Sequence, residues 1–73
     1  MSLDWDQCPE VEVAPGKLGG APVFRGTRIP VKALFENLSD GATIDEFLEW
    51  FPGLRRSQVE AVMDFAAASL HGA

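Results

Sequence analysis

The residues best placed to do chemistry in this chain are its cations, which are few and grouped. Lys17, Arg25, Arg28 and Lys32 occupy positions 15–35, a stretch with no acid, and the remaining pair, Arg55 and Arg56, stands together further on. The spacing Arg25-Gly26-Thr27-Arg28 sets two guanidiniums on either side of a Gly-Thr pair. If Gly26 and Thr27 form a type II′ turn between paired strands, the two arginines face each other at its tip. Like charges opposed across a ladder repel, so an anion or an acidic partner between them would relieve the arrangement. The competing reading is two solvated side chains splaying apart. Arg55-Arg56-Ser57-Gln58 is a second candidate set, with arginines suited to phosphates and an amide suited to base edges. The chemistry in both places is recognition of an anion or a partner.

Catalytic chemistry has little to draw on. His71 is the one histidine and lies near the end of the sequence; Cys8 sits among Asp4, Asp6 and Glu10, a setting that disfavours a thiolate. Glu60 and Asp64 fall one helical turn apart, where surface acids are ordinarily just solvated. Gly16-Lys17-Leu18-Gly19-Gly20 lacks the spacing of a phosphate-cradling loop. No nucleophile, base and orienting group form a set, and no Cys/His spacing suits zinc. The expectation is a non-enzyme with no metal and no cofactor.

The elements that must carry these residues can be read from periodicity. Val11-Glu12-Val13 alternates as a short strand, and the hairpin is expected within about 11–30, with Pro22 and Pro30 limiting its extent. Val31, Leu34, Phe35 and Leu38 follow i, i+3, i+4, i+7, which predicts a helix over about 31–40, opened by Pro30 and stopped by Gly41. Thr43 and Glu46 form a capping box for a second helix, 44–51, with the stripe Ile44, Phe47, Leu48, Phe51 and a stop at Pro52-Gly53. Val59, Val62, Met63, Ala66 and Leu70 predict a third, about 57–70, with Ser57 and Glu60 as a second box. The fold class is mostly α with a small β element: a three-helix, helix-turn-helix-like (homeodomain-like) bundle preceded by a short N-terminal β-hairpin. Residues 1–9 read as a leader and 10–73 as a single domain.

The totals agree with a small binding module. Eleven acids against six cations give a net charge of −5, unfavourable for nonspecific nucleic-acid binding by the whole surface. Acids fill 1–14 and 36–54 without a base, so the cations of 15–35 form a local basic segment, unless folding neutralises them. A core this small is marginal, and one cysteine cannot staple it, so association as a homodimer or higher homo-oligomer is expected. No apolar run approaches a membrane span, and the N-terminus carries no signal pattern, so the expected location is cytoplasmic, with no membrane partner. Trp5, in an acidic leader, and Trp50, at the edge of a stripe, either cap the core or face a partner.

Gly19 to Val31 (GGAPVFRGTRIPV), followed by Gly41, Thr43, Glu46-Phe47-Leu48, Phe51-Pro52 and Val59, resembles the signature of the family called domain of unknown function 433. The resemblance covers roughly residues 10 to 70, and Gly-Thr-Arg-Ile-Pro is its specific core. Two positions depart from it: Ala21 where many members have Lys, and Arg55 where many have a Ser or Thr helix cap. The resemblance implies a helix-turn-helix-like domain acting as the antitoxin of a type II toxin–antitoxin pair. Such an antitoxin neutralises a PIN-like ribonuclease and, with it, represses its own operon. No catalytic or cofactor residue carries over. The residues expected to contact a partner or operator DNA are Arg25, Thr27, Arg28, Lys32, Arg55, Arg56 and Gln58. An autonomous DNA-binding regulator and a structural homo-oligomer with no nucleic-acid role are the alternatives. The last helix argues against the former, because Glu60 and Asp64 lie on its outer face.

Overall fold

Three helices close over a minimal antiparallel hairpin in a computed structural model of the chain, which describes residues 5–16 and 18–71, without the side chains of Leu18 and His71. Asp4, Lys17 and the His71 imidazole, which entered the readings above, lie outside the described parts. Strand β1 (Val11–Glu12) pairs with β2 (Val23–Phe24) in the register Val11↔Phe24, Glu12↔Val23. Helices α1 (Val31–Ser39), α2 (Ile44–Trp50) and α3 (Arg56–His71) follow. The class is the expected one, mostly helical with a small β element, and α2, its corner and α3 have the helix-turn-helix outline. No helix among the described residues is long and apolar enough to cross a membrane.

Local hydrogen bonding explains where each helix begins and ends. Pro30 (φ −69°, ψ 140°) stands at the cap position of α1, and the Val31 N–H, which the helix leaves unpaired, donates to the Pro22 carbonyl at 3.0 Å. At the far end Gly41 adopts φ 104°, its N–H donates to Leu38 O, and the Ala42 N–H reaches Asn37 O. That is a Schellman closure, which needs a residue tolerant of positive φ at this position. Thr43 and Glu46 form the predicted box: Glu46 N–H donates to Thr43 Oγ1 at 3.1 Å and Thr43 N–H to Glu46 Oε1 at 2.9 Å.

The apolar stripes converge on one core. Phe24, Val23, Leu34, Phe47, Val59 and Val62 are fully enclosed, with Val11, Val31 and Leu54 beside them. Phe35, Leu38, Ile44, Leu48, Phe51 and Met63 pack around this centre, so the three predicted stripes face inward together. Leu70 does not: it is 69% exposed, and the last turn of α3 runs beyond the core.

Two expectations are corrected here. The stretch 1–9 is not all leader, because Cys8 is buried and Trp5 packs its ring on Phe35 (6.4 Å between centroids) and Phe65 (5.2 Å). Apolar burial draws these residues into the domain. The turn at Gly26 is also different. Thr27 N–H bonds back to Phe24 O, which puts Gly26 third in the turn with φ 78°. Positive φ at that position marks type II rather than II′. The paired strands are therefore 11–12 and 23–24; beyond the turn, Ile29 and Pro30 add only a hydrogen bond to Phe24 N–H and an isolated bridge to Val23.

Candidate interaction surface

Of the seven residues expected to contact a partner, three spend their side chains on backbone groups of the fold. Arg25 does not face Arg28. Its Nε donates to Pro9 O at 2.7 Å and its Nη2 to Val11 O at 2.9 Å, while its own N–H bonds to Glu10 O. The planar guanidinium thus clasps two carbonyls of the segment leading into and through β1, a two-pronged geometry that lysine lacks. No anion is needed to separate the two arginines.

Thr27 likewise has a local task. Its hydroxyl donates to Phe24 O at 2.7 Å and accepts from Ile29 N–H at 3.0 Å, bracing the turn from inside. Gly26 supplies the positive φ and Pro30 the entry to α1. Within Gly-Thr-Arg-Ile-Pro, only Arg28 is exposed and without a hydrogen bond or ion pair among the described residues.

Gln58 is the largest departure. It is 5% exposed, its Oε1 accepts from Arg55 N–H at 3.0 Å, and its Nε2 donates to Arg25 O at a long 3.4 Å. An amide buried and bonded at both ends cannot reach a base edge, so Gln58 is removed from the candidate contacts. Its position also replaces the predicted Ser57/Glu60 box. Arg55 stands at the cap, Gln58 is three residues on, and the amide provides the backward half of a capping box. Arg55 has no side-chain oxygen to return the other half. The i, i+3 spacing of Arg55 and Gln58 was the signal that could have revealed this.

The amide also has a spatial consequence. By touching both Arg25 O and Arg55 N–H, it holds the 24–28 turn, which carries Arg28, against the start of α3, which carries Arg55 and Arg56. Arg56 pairs there with Asp45 of α2. Arg55 and Arg28 have no carboxylate partner among the described residues. Lys32 lies on α1, where it pairs with Glu36 at 3.7 Å; both side chains are largely solvated, so the pair contributes little. Folding therefore neutralises only part of the basic segment.

Beside the corner, the outer face of α2 presents Asp45, Glu46 and Glu49, with Trp50 55% exposed. The outer face of α3 presents Ser57, Glu60, Asp64 and Ala68, then Leu70. Along α1, Lys32, Phe35, Glu36, Asn37, Ser39 and Asp40 line an open depression of about 660 Å³. Among the described residues no buried side-chain polar atom lacks a partner.

Comparison with known proteins agrees with this architecture. Residues 11–66 match the family described as "Protein of unknown function (DUF433)". A curated relative from Sinorhizobium fredii, "Uncharacterized protein y4eO", is 34% identical over 59 residues, which is 81% of this chain and 27% of the relative. The crystal structure of a DUF433 member protein from Anabaena variabilis superposes with a TM-score of 0.73 at 30% identity, covering 86% of this chain and 62% of that one. The chain thus corresponds to a part of each of these proteins.

Proposed function

The chain belongs to the DUF433 family, and from that premise we propose that it is a non-catalytic, protein-binding module, the antitoxin of a type II toxin–antitoxin pair. Its partner is a PIN-like ribonuclease, and repression of the shared operon is a property of the complex rather than of this chain alone. The observation that carries the reading is the surface of α3. With Gln58 buried, the helix that would have to read DNA turns Glu60 and Asp64 outward, followed by the exposed Leu70. Carboxylates repel phosphates, but they complement the cationic groove of a nuclease, and an adjoining apolar side chain gives such a contact a desolvated centre.

The alternative, an autonomous DNA-binding regulator, is favoured by one observation. Arg28, Lys32 and Arg55 keep their charged ends at the surface. Three phosphate contacts give a log–log salt slope of about −3, shallower than the five contacts readable from the sequence would give.

Co-expression with the adjacent open reading frame tests the main reading, with growth rescue and co-purification scored together. A neighbour that is toxic alone, harmless with this protein and co-purified with it supports the antitoxin role. Replacement of Glu60 and Asp64 by Lys then weakens both effects. An innocuous neighbour that does not co-purify overturns the reading. Salt-dependent binding to its own upstream DNA by the isolated chain would then favour the alternative.

A further inference from the structure

The corner where the 24–28 turn meets α3 borders directly on the outer face of α2, and the two carry opposite charge. Asp45 and Arg56 pair across the boundary. On one side Arg28 and Arg55 are exposed cations with no carboxylate partner among the described residues. On the other, Glu49 lies one helical turn beyond Asp45 with no ion pair among the described residues, next in sequence to the exposed Trp50.

We propose that this bipolar patch is the surface on which two copies of the chain associate. A patch with adjoining halves of opposite sign is self-complementary under a two-fold axis through its boundary, because each acidic half then lies on the partner's basic half. A partner of single sign would match one half and repel the other, whereas a second copy of this chain carries the matching pair of halves. Trp50 supplies apolar area and a ring face suited to an arginine. The association is held largely by solvated charges, so it weakens as salt screens them. It uses a different surface from the α3 contact of the preceding section and stands independently of the toxin.

Sedimentation equilibrium of the 7.9 kDa chain at low and high salt, with two charge-reversed variants, tests it. Wild type is expected to dimerise at low salt and dissociate as salt rises. Arg28→Glu alone and Glu49→Arg alone are expected to be folded monomers, with circular dichroism melts matching wild type at high salt, where wild type is monomeric as well, since neither side chain bonds to another described residue within the fold. Mixing the two variants restores a dimer, because each supplies the half the other has reversed. A wild type that stays monomeric at millimolar concentration overturns the proposal. So does a dimer indifferent to salt and to both reversals, or two monomeric variants that fail to recombine.

Discussion

The side-chain amide of Gln58 touches the carbonyl of Arg25, 33 residues earlier in the chain, at 3.4 Å, and at its other end takes the N–H of Arg55 at 3.0 Å. One polar side chain thereby caps α3 and ties it to the turn that carries Arg28. Gln58→Leu keeps much of the volume but leaves the Arg25 carbonyl and Arg55 N–H without that partner. A loss of about 1–3 kcal/mol is expected in urea unfolding. A neutral outcome would show that solvent replaces both contacts and that the tie is not structural.

Arg55→Ser should stabilise the chain. Serine at the cap gives the oxygen that arginine lacks and completes the box whose other half Gln58 already makes. The expected gain is about 0.5–1 kcal/mol, read as a rise in melting temperature of several degrees for a domain of this size. The double variant Arg55→Ser, Gln58→Leu should lose part of this benefit, and strict additivity would contradict the reciprocal cap.

Arg25 and Arg28 should behave oppositely despite their shared turn. Arg25→Lys loses the two-pronged clasp on Pro9 O and Val11 O, with destabilisation of about 1 kcal/mol and faster amide exchange at Cys8 and Val11. Arg28→Ala should leave stability within about 0.5 kcal/mol, as ordinary surface substitutions do. Equal effects at the two positions would refute the division of labour.

Trp5 and Trp50 can be separated by fluorescence. Trp5→Ala removes the ring packed at a tilt against Phe35 and Phe65 and should cost about 2–3 kcal/mol, below the range for a fully buried tryptophan because Trp5 is only partly enclosed. At high salt, where the chain is monomeric, the remaining Trp50 signal should be red-shifted and readily quenched by iodide. Trp50→Phe should change stability little and leave a blue-shifted, protected emission.

Much of the fold was legible because it is dictated locally. The α1 and α2 stripes, the Thr43–Glu46 box and the Gly41 exit all depend on residues within a few positions of one another, where helical periodicity and i, i+3 hydrogen bonds decide the outcome. Thr27 was expected among the partner contacts and instead braces its own turn, a local role open to any hydroxyl at such a position. Trp5 was not: an isolated aromatic in an acidic segment has no period, and only the meeting of α1 with α3 gives it Phe35 and Phe65 to pack on.

What the sequence by itself determined is the number and approximate extent of the helices, the stripes that bury together, the caps of the first two helices, and a cationic segment between acidic ones. Only the tertiary structure decided which of those cations and amides remain available. The contacts that clasp Arg25 and tie Gln58 to its turn join positions 14 to 33 residues apart. A long polar side chain reaches several ångströms in any direction, and a one-dimensional pattern carries no record of the carbonyl it will meet. The same closure brought the turn that carries Arg28 beside the start of α3, and Arg56 against Asp45 of α2, because α3 packs its start against both a turn and a helix that the chain had left behind.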